Sequence, residues 1–146
     1  MKKKLFAALS ASAILLAGCQ ADSKPVIGVA QLVDQTSLNI IRDAMFDEFE
    51  ELGYKDGENV VIDYQNAAGK AENLNTIFSQ FQSEDAAAVV AITTAAAQSA
   101  QNFTDSYPVI FSAVADPVGA GIVKDLEHPE GNITGTSFEV QVDQII

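Results

Sequence analysis

Short apolar runs that alternate with stretches of helical period constrain this chain more than any other feature. Val26-Ile27-Gly28-Val29-Ala30, Val60-Val61-Ile62, Ala86–Ile92 and Val109-Ile110-Phe111 are each apolar and of strand length. The third is apolar throughout, as expected for a strand buried on both faces. After the first run, Ser37 is placed to cap a helix whose apolar residues Leu38, Ile41, Met45, Phe49 and Leu52 recur at helical spacing. Gly53 supplies a natural stop, and Asp47, Glu48, Glu50 and Glu51 mark a solvated outer side. Leu74, Ile77, Phe78 and Phe81 mark a second helix, and a third is expected over Ala95–Phe103. Strand–helix units repeated in this way predict an α/β fold, a parallel sheet flanked on both sides by right-handed crossovers. Beyond the fourth strand we expect a short helix from Asp116-Pro117 to about Leu126, a loop at His128-Pro129-Glu130-Gly131 and a fifth strand over Asn132–Ser137. Phe138–Ile146 reads as a helix that stops with neither cap nor polar tail, so the expectation is a chain cut short.

The first 18 residues do not belong to that pattern. Met1–Lys4 is basic, and Leu5–Ala17 is apolar apart from Ser10 and Ser12. About 20 apolar residues are needed to span a bilayer, so this stretch reads as the hydrophobic region of a signal peptide. It ends in Leu16-Ala17-Gly18-Cys19, which resembles the lipobox of bacterial lipoproteins. That resemblance implies cleavage before Cys19 and diacylglyceryl transfer to its thiol, which gives stable membrane anchoring. Residues 19–24 are then a lipidated tether and the folded domain begins near Pro25. Cys19 is the single cysteine, so no disulfide forms within the chain.

Charge narrows the function. The part after residue 18 keeps all 20 acidic residues and only five basic ones, a net charge of −15. Such a surface repels phosphate backbones, which argues against nucleic-acid binding. One His and one Cys cannot build a transition-metal site, although carboxylates alone could hold a hard cation; no metal or other cofactor is expected. No Gly-x-Ser-x-Gly elbow, phosphate loop or Gly-x-Gly-x-x-Gly fingerprint follows a strand, and no His or Cys is placed to activate a nucleophile. Asp34 and Asp116 are the only carboxylates expected above the sheet, so an enzyme is the least favoured class.

In an open parallel sheet, ligands bind beyond the carboxyl ends of the strands, near the reversal of strand order. The segments that arrive there are Gln31–Ser37, Asn66–Gly69, Thr93–Ala96 and Ala113–Asp116. Gln31, Leu32, Val33, Ser37, Thr93, Thr94 and Asp116 are therefore the candidate ligand-binding residues. Thr93-Thr94 at a helix start suits a carboxylate and Asp116 suits an ammonium, a pairing that fits a zwitterion such as an amino acid. Each also has a structural reading. Asp116 before Pro117, and Thr93 or Thr94, have the form of helix caps, and Gln31 could simply tie down a loop. Tyr64 and Tyr107 read as packing residues.

Several stretches resemble the ABC-transporter substrate-binding family that includes tryptophan- and tyrosine-binding lipoproteins of bacteria. They are Ile27–Asp34, Glu51–Tyr54, Ile62–Ala67, Val90–Thr94, Ala115-Asp116-Pro117-Val118-Gly119-Ala120-Gly121 and Gly131-Asn132-Ile133-Thr134-Gly135-Thr136. The resemblance implies the first lobe of a two-lobe, periplasmic-binding-protein-like (type I) fold over residues 25–138. Residues 139–146 would begin the hinge or second lobe, which is otherwise absent. It implies an extracytoplasmic, lipid-anchored component of an ABC importer. Such a component captures a small solute, an amino acid and aromatic ones among them, by lobe closure and delivers it to a permease and its ATPase. The runner-up is an extracellular ligand-sensing module for a membrane signalling partner. Two places depart from the family pattern: Gln35-Thr36 stands where His-Pro is expected, and Thr94-Ala95-Ala96 where Thr-Pro-Ser is expected.

Overall fold

A computed structural model describes residues 23–138. The order is β1 (Val26–Gln31), α1 (Thr36–Glu51), β2 (Val61–Asn66), α2 (Ala71–Ser83), β3 (Ala88–Ile92), α3 (Thr94–Ala100), β4 (Val109–Val114) and β5 (Ile133–Ser137). A 3₁₀ turn at Gln101–Phe103 continues α3. The strands form one parallel sheet in the order β2-β1-β3-β4-β5. The expected α/β alternation is therefore present, and the sheet is flanked by helices on both faces.

Period-two alternation sends successive β1 residues to opposite sides. Ala30 packs in the larger core with Leu74, Ile77, Phe78 and Phe81 of α2 and Ala96, Ala97 and Ala100 of α3. Val29 packs in the smaller one with Val90 and Ile92 of β3 and with Leu38, Met45 and Phe46 of α1. The four apolar residues of α2 are all buried, each contributing about 1.5–3 kcal/mol of burial. None of the residues of α1 is fully buried.

α2 lies close to β1 because residue 28 has no side chain. A Cβ built there would stand 2.7 Å from the Phe81 ring. On the same side, Tyr107 is 2% exposed and its hydroxyl donates to the Phe78 carbonyl at 2.9 Å. Burial pushes the Tyr107 phenol well above the ordinary tyrosine range.

Several boundaries differ from the sequence expectation. β2 begins at Val61 and runs on through Asp63, Tyr64, Gln65 and Asn66, because an edge strand need not be apolar. β3 starts at Ala88, since Asp85 takes a left-handed turn (φ 52°) that uses up the preceding residues. Ser37 does not cap α1. Gln35 holds the cap position in extended conformation without a side-chain bond, and Ser37 is exposed in the first turn. Leu52 is 65% exposed at the helix end and not packed inward. The helix expected from Asp116 to Leu126 is absent. Turns replace it, with Ala120 N–H bonding Asp116 O and Gly121 N–H bonding Val118 O, and two glycines within six residues disfavour propagation. The helix expected to run to Ile146 lies outside the described residues from 139 on, as do the signal peptide, Cys19 and most of the tether.

Gly28→Ala is expected to destabilise the fold by about 1–3 kcal/mol, the usual effect of overpacking. Because the clash is with one ring, denaturant titration of Gly28→Ala/Phe81→Leu should show a smaller combined loss than the two single changes added together. For Tyr107, the unfolded phenol ionises near pH 10 and the folded one higher, so unfolding releases a proton. Its stabilising effect is complete below about pH 10 and lost as pH rises above that value. Tyr107→Phe should be less stable than wild type at pH 7, by about 1 kcal/mol, and the gap should close in melts above pH 10.

Candidate functional site

Sheet order locates the site. The chain steps from β1 to β2 on one side and then returns to place β3 on the other, so the reversal lies between β1 and β3. Across the carboxyl ends, Asn66, Gln31, Ile92 and Ser112 align in register on the face that α1 covers. Loop 32–35 rises beside this row from β1, and Thr93 and Thr94 rise from β3.

Backbone conformation marks the same place. Among the described residues, the non-glycine positions with positive φ are Ala68 (55°), Asp85 (52°), Thr93 (101°) and Ala113 (58°). Three of them follow or end β2, β3 and β4 at the carboxyl edge of the sheet. Thr93 is the most strained, because a β-branched residue at that φ lies in territory otherwise left to glycine. It is held from two sides. Its N–H donates to Ser112 O at 3.0 Å, and its Oγ1 accepts the Ala96 N–H at 3.3 Å. Thr93 is thus the N-cap of α3, as its position implied, whereas Thr94 is the first helical residue and is half-buried.

The remaining candidates fall into distinct environments. Asp116 is exposed and its Oδ1 accepts the Gly119 N–H at 2.7 Å, which caps a turn and not a helix. Gly119 makes room for this, since a Cβ there would meet Oδ2 at 2.1 Å. Asp34 is exposed and accepts from Asn39 Nδ2. It follows β1 and Asp116 follows β4, with β3 lying between, so the two carboxylates belong to separate parts of the edge. Leu32 and Val33 are half-buried, and Ser37 points to solvent from the first turn of α1. Gln31 is fully buried, and its Nε2 donates both hydrogens, to Val33 O at 2.7 Å and Asn39 Oδ1 at 2.9 Å.

Sequence reading missed the polar partners of these groups. Asn39 and Arg42 sit three residues apart on the sheet-facing side of α1. Arg42 Nη1 reaches Asn39 Oδ1 at 3.4 Å and the Tyr64 hydroxyl at 3.2 Å, and the guanidinium lies 4.9 Å above the Tyr64 ring. Hydrogen bonds that Arg42 donates to Asp43 and Tyr64 raise its pKa further. Asn66 Nδ2 also donates to the Tyr64 hydroxyl at 3.2 Å. The available signal was two polar residues interrupting the inward stripe of an otherwise apolar helix face. Among the described residues, no three His, Cys, Asp or Glu side chains gather as a metal site, and no helix is long and apolar enough to cross a membrane.

Comparison with known proteins settles the family. The model of the family described as ABC transporter substrate binding protein matches residues 26–146. The chain belongs to that family. A tyrosine-binding protein of Clostridioides difficile is 42% identical over 120 residues, which cover 82% of this chain and 35% of that protein. Among solved structures, the ligand-free, open form of a substrate-binding protein with adhesive properties from Clostridium difficile superposes with a TM-score of 0.78 at 42% identity. It is matched over 82% of this chain and 41% of its own. An ABC domain from Streptococcus pneumonia in complex with L-Trp gives a TM-score of 0.75 at 41% identity, over 80% of this chain and 39% of its own. A conserved domain protein of Vibrio cholerae gives 0.79 at 36% identity, over 83% and 41%. This chain therefore spans roughly two fifths of the length of the relatives it matches, one lobe's worth of parallel sheet.

The strain at Thr93 is directly measurable. Thr93→Ala keeps the unfavourable φ and loses the cap, whereas Thr93→Gly loses the cap but relieves the backbone. Gly is expected to be the more stable of the two variants by about 1 kcal/mol, the reverse of the usual order. Chemical denaturation of both checks it.

Proposed function

We propose that this lobe supplies half of an amino-acid site in an extracytoplasmic substrate-binding lipoprotein, the capture component of an ABC importer. The observation that carries the reading is the strained backbone of Thr93 at the reversal of strand order, with Ala113 strained on the adjacent strand. Strain held by two hydrogen bonds at a ligand-binding edge is what a pre-organised site requires. Among the described residues the Thr94 hydroxyl takes no partner, which leaves it available to a ligand carboxylate. Asp116 carries a charge suited to an ammonium, and Leu32 and Val33 offer apolar contact. In this reading Gln31 and Ser37 complete the β1 side of the site. The names of the relatives, one tyrosine-binding and one holding L-Trp, support an aromatic amino acid.

The same reading assigns residues 1–18 to the signal peptide, Cys19 to lipid attachment, 19–24 to a tether and 25–138 to the lobe. Residues 139–146 begin the passage to a second lobe. Closure of the two lobes would follow from contacts that the ligand makes with both, which favour the closed state. A permease and its ATPase would then receive the solute, and no catalytic step is involved.

Isothermal titration of the full-length protein with L-tryptophan and L-tyrosine tests the proposal. Micromolar binding of at least one is expected, with residues 20–146 alone binding about a hundredfold more weakly for want of the second set of contacts. Equal affinity of the isolated lobe would show that the site is not shared. Binding of a sugar in place of either amino acid would overturn the ligand class.

A further inference from the structure

The orphaned oxygen of Gln31 has a cause that reaches beyond the residue itself. Gln31 is completely buried, and its Oε1 finds no hydrogen-bond partner among the described residues. Leaving a buried acceptor unpaired costs about 1–3 kcal/mol, so such an arrangement persists only where something else holds it. Here the amide cannot turn over. Its two hydrogens face two oxygens, Val33 O at 2.7 Å and Asn39 Oδ1 at 2.9 Å, and a flip would set Oε1 against both. Asn39 is itself held in one orientation. Its Oδ1 also accepts from Arg42 Nη1 at 3.4 Å, and its Nδ2 donates to Asp34 Oδ1. Arg42 in turn is pinned on Tyr64 of the edge strand.

We propose that Asn39 is a positioning residue of the binding site, which through Gln31 and Asp34 latches the loop 32–35 in its ligand-ready form. Asn39 ties the two central residues of the loop, Val33 by way of the Gln31 amide and Asp34 directly. The backbone adds a third tie between Gly69 N–H and Leu32 O at 2.8 Å. The loop therefore owes its shape to a chain of amides running from α1 to β1, and the unpaired Oε1 is the consequence of directing both Gln31 donors into it. This inference rests on the site proposed above, but one of its tests does not.

The test compares Asn39→Ala and Gln31→Met with wild type in the full-length protein. Gln31→Met removes the unpaired Oε1 together with both Nε2 hydrogen bonds, two effects of opposite sign, so its melting temperature should stay close to that of wild type. Both variants should nevertheless show faster amide hydrogen exchange across residues 32–39 and at Gly69. Titration with L-tryptophan and L-tyrosine should show affinity reduced about tenfold in each, and the double variant should lose little more than either single one. Wild-type exchange rates in the loop of both variants would overturn the latch, whatever the ligand. So would an affinity loss in Gln31→Met that merely tracks a fall in its melting temperature. Failure of wild type to bind either amino acid strikes the proposed function instead, and leaves the exchange comparison to decide the latch.

Discussion

Strand β1 is hydrogen-bonded along both edges, to β2 from Val26 to Gln31 and to β3 from Ile27 to Gln31. Nearly everything else follows from this double pairing. Parallel neighbours on both sides demand two crossovers, and right-handedness puts them on opposite faces of the sheet. The crossover through α1 therefore covers one face and that through α2 the other. The two loops that leave the carboxyl end beside the reversal, 32–35 and 93–94, come from adjacent strands. A cleft between them is a property of the connection order before any side chain is considered. The side chains of β1 then serve each face in turn. Gly28 admits the Phe81 ring on the α2 side, and Val29 meets α1 on the other.

The elements that periodicity made legible were those with one clear apolar stripe. α2 is legible from four buried residues at helical spacing, and β3 from its apolar run, although the strand begins two residues later than that run. Errors arose where polar residues had structural work. β2 was read short because its second half is polar, being an edge strand with a tyrosine that supports Arg42. The segment after Asp116 was read as a helix because a cap followed by proline looks like a helix start, although Gly119 and Gly121 leave only turns. At the site, Thr93 was legible as a cap by its place after a strand, but its positive φ was not, since nothing in the residue type announces it. Asn39 and Arg42 interrupt the inward stripe of α1, but their bonds to Gln31 and Tyr64 are not legible because those partners lie eight and 22 residues away.

The acidic surface and the membership of a substrate-binding family bear on each other. Asp116 and Asp34 stand exposed at the carboxyl edge, each tied to one neighbour that fixes its direction. Arg42, the only arginine of the chain, lies on the α1 side of the same edge with four of its five N–H donors directed at Asp43, Asn39 and Tyr64. What remains for a ligand is a set of hydroxyls, backbone groups and carboxylates.

The two faces of the sheet are unequally secured. α2 and α3 bury Leu74, Ile77, Phe78, Phe81, Ala96, Ala97 and Ala100, with Phe78, Phe81, Phe103 and Tyr107 packed ring against ring. α1 contributes side chains that are at most half-buried. Cooperative units with fewer buried contacts open at lower free energy. The lobe is therefore graded, with a firm half that holds Thr93 in its strained form and a softer half that carries loop 32–35. The strained turn at Thr93 rests on the packed half, whereas loop 32–35 keeps its shape through the hydrogen bonds of Gln31, Asn39 and Gly69, so substitutions in α1 would loosen that loop and leave Thr93 in place.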